Sequence, residues 1–286
     1  MSALPLVDEY IVALGNGDED DCTAQLISEI NSPKIKIIRT VWDLEKFPNG
    51  MVHAQQTDLA KQHCTGDWLI YLQADEVLHE LDFEAIKTAC SSYLEDDRVE
   101  GFLLNYHHFW GDYEHVVKGH SWYDREVRII RNKPDIHSWQ SAQSFRVIQD
   151  FNGIDFRQKV NTRKLNVMAI HAHIYHYGWV RPPKLMTQKM QALDKIHSHQ
   201  RHRFKGDFDY GDLSRLAVFK GMHPKVMQEW MQGFDWKNDL NYGEKKIVRS
   251  YQFKHERLRY RILSWIEIHL FGGEKMGAFK NYTLLD

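Results

Sequence analysis

Apolar and polar positions alternate in blocks over the first hundred residues. YIVALG (10–15) is a continuous apolar run, and the polar NGDEDDCT follows it; a buried strand running into a turn has this pattern. Asp21 is placed to cap a helix carrying Leu26, Ile27 and Ile30 on one stripe, and the Ser-Pro pair at 32–33 breaks that helix. KIKIIRTV (34–41) reads as the next strand and LEKFPNG (44–50) as a loop. MVHAQQTDLAKQHC (51–64) reads as a helix with Val52, Gln55, Leu59 and Cys64 roughly on one face, and Gly66 is suited to close it. WLIYLQ (68–73) is a third strand. LDFEAIKTACSSYLE (81–95) is a helix with Phe83, Ile86, Ala89, Cys90 and Leu94 as its stripe. This alternation predicts an α/β fold with a mostly parallel central sheet flanked by helices. Ligands bind such sheets beyond the carboxyl ends of the strands. The turn at 16–21 and the acids Asp75 and Glu76 lie at such ends and are expected to face one crevice.

The second half is mixed. GFLLNYHHFWGDY (101–113) and REVRIIRN (125–132) read as strands, and KLNVMAIHAHIYHYGWVRPP (164–183) as a strand pair or a strand and loop. A proline-opened helix follows over 182–200. HERLRYRILSWIEIHLFG (255–272) reads as a long amphipathic helix, its stripe of Leu258, Ile262, Trp265, Ile266 and Leu270 expected to cover the core. The predicted organisation is an α/β unit over 1–183 and a helical extension over 184–286.

A formal charge of −2 over 286 residues gives no reason to expect a nucleic-acid partner. Cys22, Cys64 and Cys90 are too few for a disulfide framework and read as buried free thiols in a reducing compartment. No apolar run reaches the roughly 18 residues that span a bilayer. MSALPLVDE lacks the charge and apolar length of a signal peptide, so a cytoplasmic location is expected.

Three features carry chemistry. Asp75 and Glu76 can reach one pocket from a turn and hold a hard divalent cation; Mg²⁺ or Mn²⁺ would leave positions for phosphate oxygens. The same acids can merely end a strand. HAHIYHYGW (171–179) offers His171, His173 and His176, three histidines of the kind that ligate a transition metal or hydrogen-bond to backbone. Arg125, Arg128, Arg131, Arg181 and Lys184 form a basic set able to clamp phosphate; on REVRIIR, Arg128 faces away from Arg125 and Arg131.

In this order the pieces resemble an inverting glycosyltransferase of family 2, with the type A nucleotide-sugar fold. YIVALGNGDEDDCT is similar to the family's apolar strand and Gly-x-Ser-x-Asp-Gly-Thr: Gly15 falls on the first Gly, Asp21 on the Asp and Thr23 on the Thr, while Gly17 replaces Ser and Cys22 replaces Gly. Asp75 aligns with the last acid of the metal-binding Asp-x-Asp, whose first acid is Gln73 here. REVRIIRNKPDIHS resembles the strand and loop near the acceptor, and HYGW the late histidine segment. The resemblance implies that Gly15, Asp21, Gln73 and Arg128 meet the nucleotide-sugar donor. It implies that Asp75 and His176 hold Mn²⁺ or Mg²⁺ on the diphosphate, and that an acceptor hydroxyl on a glycan or lipid-linked molecule attacks the anomeric carbon. Asp124, His137 and Asp150 are the candidate bases, with His137 named first although Ser138 stands where many members carry an acid. The family pattern begins with a further strand and helix before YIVALG, where this sequence has about nine residues; an apolar strand edge is therefore expected to be left open, or covered by another segment or subunit. Two rivals stand beside this reading: a metal-dependent hydrolase built on His171, His173, His176 and Asp75, and a nucleotide- or sugar-binding module without catalysis. Peripheral membrane contact through 255–272 and homo-oligomerisation also stay open.

Overall fold

The computed structural model describes residues 1–197, 206–245, 249, 251–273, 275–277 and 279–286. The first alternation forms as β1 (Tyr10–Leu14), α1 (Thr23–Glu29), β2 (Ile35–Arg39), α2 (Met51–Lys61) and β3 (Trp68–Ile70). A three-residue strand, β4 (Glu76–Leu78), follows at once, then α3 (Phe83–Ser92). The middle of the chain is β5 (Gly101–Trp110), β6 (His115–Val117), β7 (Arg125–Arg131), β8 (Ile136–Trp139), β9 (Ser144–Ile148) and the 18-residue β10 (Thr162–Trp179). Then come α4 (Pro183–Ile196), β11 (Ala217–Val218), α5 (Gln228–Gln232), α6 (Leu258–Leu270) and β12 (Tyr282–Leu284). The last residues of the helix expected over 182–200 lie outside the described residues. No helix among the described residues is long and apolar enough to cross a membrane.

The fold is α/β, but its main sheet is mixed rather than mostly parallel. Ten strands follow the path β11-β6-β5-β10-β9-β8, with β7 and β3 branching from β5, and β4 and β12 from β10. Only β5 and β12 run parallel to β10; β4 and β9 oppose it, and β7 opposes both β5 and β3. Connection length explains the departure. The links 111–114 and 140–143 are too short for a crossover, so β5–β6 and β8–β9 must be antiparallel. The segment read as a strand pair or a strand and loop at 164–183 is one long strand, Thr162–Trp179, that changes partner along its length. β1 and β2 pair in parallel, Tyr10 against Ile35 through Leu14 against Arg39, in a sheet of their own.

Three apolar clusters pack this sheet. One joins Phe102, Leu104, Ile129 and Ile174 to α3 through Ile86 and Ala89. A second holds Leu103, Val127, Phe145 and Val167. The third joins Phe109, Trp110 and Tyr177 to Met186, Phe208, Tyr210 and Trp236, so it includes residues on both sides of position 183. Arg131, expected at a phosphate, fastens β7 instead. Its guanidinium donates to the carbonyls of Tyr93, Leu94, Asp96 and Val99 and lies over the Trp68 ring.

Two expected apolar stripes do not face the core. α1 buries no residue, and Leu26 is 60% exposed. α6 leaves Leu258 at 68% and Trp265 at 56% exposed. It docks through polar atoms: the buried Glu267 meets His120 Nδ1 at 2.6 Å, and Ser264 Oγ accepts from the His120 amide at 2.9 Å. The three cysteines are free, and Cys22 is exposed rather than buried.

Burial draws His53, His107 and His255 down to about 4; neighbouring charge (His197, His173 and Arg249 respectively) adds to it. Their ordinary value is 6.5. Between those limits the unfolded chain binds more protons than the folded one, so stability falls as pH falls through this window. Allowing for solvent screening, the expected loss is about 1 kcal/mol per histidine by pH 5. Urea unfolding at pH 7, 6 and 5 checks it; a flat profile refutes it.

Candidate active site at the end of β3

Asp75 and Glu76 are adjacent but take different partners. Glu76 opens β4 opposite His176 of β10 and is buried. There its carboxylate accepts from Arg128 Nε at 3.0 Å and Nη2 at 2.9 Å, and from Tyr106 Oη at 2.7 Å. Both members of this ion pair are fully buried. Arg128 also donates to the carbonyls of Val127 and Gln143. The expectation that Arg128 clamps phosphate is therefore corrected: its charge is neutralised inside the protein.

Asp75 precedes β4 and lines a cleft of about 1850 Å³. Its carbonyl accepts from the Tyr177 amide at 2.9 Å, tying it to the end of β10. Lys189 Nζ, on α4, donates to Asp75 Oδ2 and to the Gly178 carbonyl, both at 2.8 Å. His176 Nε2 lies 3.8 Å from Asp75 Oδ1. Gly178 keeps the space open, because a Cβ there would sit 2.5 Å from Asp75 Oδ2 and 2.6 Å from His176 Nε2.

The hydrogen bonds fix the state of His176. His108 Nε2 faces the Tyr123 carbonyl at 2.7 Å, and a carbonyl can only accept, so this nitrogen carries a proton. Nδ1 of neutral His108 is then an acceptor, and His176 Nδ1, 3.0 Å away, donates to it. Nε2 of neutral His176 is left with its lone pair toward Asp75 and the cleft. Burial favours this neutral pair: it pulls His108 well below the usual histidine range, and His176 below it against the opposing pull of Asp75 and Glu76. Burial also raises the Asp75 carboxyl, but His176, once protonated in acid, and Lys189 outweigh it and hold Asp75 below the ordinary carboxylate value. With His176 neutral, Lys189 is the standing cation of the site.

The other expected residues scatter. Gln73 lines the cleft, its amide nitrogen 3.5 Å from Tyr71 Oη and from the Ala142 carbonyl. Gly15 packs against Trp42, whose Nε1 would lie 2.6 Å from an added Cβ. Asp21 is exposed and accepts from the Thr23 amide and hydroxyl, which lower its pKa; neither Gly15 nor Asp21 lines the cleft. His137 is also outside it. Its Nδ1 meets Asp58 Oδ2 at 2.6 Å and its ring packs on Phe151, fastening β8 to α2. Of the three candidate bases only Asp124 lines the cleft, with Lys275 Nζ 3.3 Å from Oδ1. Asp150 stands outside it in a turn with φ 55°. The histidine triad does not converge either. His173 stacks on His107 and sits 3.4 Å from Asp82, away from His176. Among the described residues no group of three or more His, Cys, Asp or Glu is placed to hold a metal ion.

Sequence reading missed Lys189, His108 and Gly178. Lys189 had a signal: it stands three residues after Met186 on a helix face continued by Met190 and Leu193, a lone cation in an apolar stripe that lines the cleft. His108 had none, because its pairing with His176 joins strands 68 residues apart. Comparison with protein-family models and with curated proteins finds no match to this chain.

Glu76→Gln leaves the buried Arg128 uncompensated and is expected to cost about 3–5 kcal/mol. Glu76→Gln combined with Arg128→Met is expected to recover part of that loss. Urea unfolding of both variants checks the pair; a single variant as stable as the parent refutes its role.

Proposed function

We propose that the chain transfers a sugar from a nucleotide diphosphate sugar to a hydroxyl of a glycan or lipid-linked acceptor, with inversion at the anomeric carbon. One observation carries the reading: an ionised carboxylate, a neutral imidazole lone pair and an ammonium meet at one point of a large cleft, just past the end of a strand. Asp75 and His176 fit a Mn²⁺ or Mg²⁺ ion, since both present acceptor atoms to the same space and a glycine keeps that space clear. Two protein ligands leave the other positions to diphosphate oxygens and water. Such an ion, when bound, neutralises the charge that grows on the departing diphosphate.

The protein's own groups supply the rest. Lys189 can turn from Asp75 to a phosphate oxygen once an ion takes the carboxylate, adding a second positive charge at the leaving group. Trp122 and Trp179 line the cleft and offer flat faces to a sugar or base. Asp124 takes the place first given to His137. Its carboxylate accepts the acceptor hydroxyl's proton as the oxygen bonds to the anomeric carbon, and the bond to the diphosphate breaks with its electron pair leaving on the phosphate oxygen. The scattered histidines give no support to the hydrolase. A binding module without transfer keeps one observation in its favour: among the described residues no third ionisable metal ligand stands beside Asp75 and His176.

Calorimetric titration with uridine and guanosine diphosphates, with and without Mn²⁺, tests the reading. One of the two is expected to bind at least about tenfold more tightly with the metal, about 1.4 kcal/mol, and Asp75→Asn is expected to abolish that gain. Equal binding by the parent and Asp75→Asn would sink the proposal. Metal-dependent binding without release of sugar from any donor would select the module. Because burial lowers the His176 pKa, the metal-dependent gain is expected to persist through the usual histidine range and fade only in more acid solution, when the Nε2 lone pair takes a proton. Titration of binding against pH checks this; a loss centred at or above pH 7 contradicts it.

A further inference from the structure

α6 presents its faces the wrong way round for a helix in water. Tyr260, Leu263, Ser264 and Glu267 follow one another at steps of three, one and three residues and form its inward line. Polar contacts hold that line down: Glu267 is buried against His120, Ser264 Oγ accepts from the His120 amide, and Tyr260 stacks on the His120 ring at 6.0 Å. The opposite line is apolar and exposed. It holds Leu258, Ile262, Trp265 and Ile268, and Leu270 and Phe271 continue it at the helix end. His269 stacks on Trp265 at 4.8 Å and broadens this surface. Arg259 and Arg261 stand on either side of the Leu258, Ile262 and Trp265 line, with Arg257 at its start, and all three arginines are exposed. Arg257 donates to the Gln252 carbonyl and Arg259 to the Tyr260 hydroxyl, both neutral oxygens. None of the three pairs with a carboxylate among the described residues.

We infer that α6 docks the protein on an anionic membrane surface, with Leu258, Ile262 and Trp265 entering the lipid and Arg257, Arg259 and Arg261 meeting headgroup phosphates. A helix with tryptophan and aliphatic residues on one face and arginines at its margins lies in the headgroup plane in this way. Arginine stems run along apolar surface while their heads stay with phosphate. At 13 residues α6 is too short to cross a bilayer, so it lies on the surface. Charge selects a lipid surface over a second copy. A symmetric contact through this face would set two groups of arginines against each other, and the one acid of α6, Glu267, is buried on the inward line. The helix also stands at the rim of the cleft. Glu267 accepts from the Met276 amide at 2.9 Å, and His120, Lys275, Phe279 and Lys280 line the cleft. Docking through α6 therefore brings that rim close to the headgroups. The inference stands on α6 and does not rest on the proposed sugar transfer; on that reading it favours an acceptor carried by a lipid.

Vesicle flotation of the full chain tests it. The probes are vesicles of phosphatidylcholine alone and of phosphatidylcholine with about one third phosphatidylglycerol. The parent is expected to bind the mixed vesicles at least about tenfold more tightly than the neutral ones, and to bind them more weakly as salt rises from about 0.1 to about 0.5 M. Ile262→Ser with Trp265→Ser, and separately Arg259→Gln with Arg261→Gln, are each expected to weaken binding at least about tenfold. Both double variants are expected to keep the parent's melting temperature, because all four side chains are exposed. No flotation of the parent with mixed vesicles overturns the inference. So does equal binding to neutral vesicles, or unchanged binding by either variant, which would place the contact on another surface. A parent that does not float but sediments as a dimer, dissociated by Ile262→Ser with Trp265→Ser, overturns it in favour of a second copy. None of these readouts uses a nucleotide, so their failure and that of the sugar-transfer reading are told apart.

Discussion

The ion pair between Glu76 and Arg128 orders everything around the candidate site. It lies under β4 with both members fully buried, and it ties that three-residue strand to β7. A carboxylate so buried is tolerable only because two guanidinium nitrogens and the Tyr106 hydroxyl satisfy it. Asp75 sits in the turn before β4, closed by the Glu76 amide on the Gln73 carbonyl at 3.0 Å, and lines the cleft. One acid is spent on structure, so that its neighbour can be presented to solvent and ligand.

The site's electrostatics follow from a second buried contact. The Tyr123 carbonyl sets the tautomer of His108, His108 sets that of His176, and a lone pair results 3.8 Å from a carboxylate oxygen. Two acceptors at that separation call for a cation between or beside them. Lys189 meets the need in this structure by bonding to Asp75 and the Gly178 carbonyl. On the proposed reading, a divalent ion bound to Asp75 and His176 would release that ammonium, and lysine and metal would be alternative partners of one carboxylate.

The strands fall into two sheets. β1 and β2 stand apart from the ten-stranded sheet, although YIVAL has the composition of an interior strand. All five residues of β1 stay partly exposed, and α1 beside them buries none.

Local pattern was enough to locate most elements, because apolar period and turn chemistry act within a few residues. It placed β1 to β3, α2, α3, β5, β7 and α4, and it marked Asp75 and His176, which the fold brings together. It could not give strand direction, which depends on which edges meet. It could not separate Asp75 from Glu76, since their division of labour rests on an arginine 52 residues away. Arg128 and His137 looked available because unpaired charge is all that a sequence displays; Glu76 and Asp58, which neutralise them, become neighbours only in the folded chain. The α6 stripe was apolar as read, but a polar anchor, Glu267 on His120, decided which face turned inward. The amino-acid order thus determined where strands and helices form and which residue types could bear chemistry. Tertiary packing alone decided which of those charges are buried and cancelled and which are left facing the cleft, because burial and long-range pairing set the electrostatic free energy of each group.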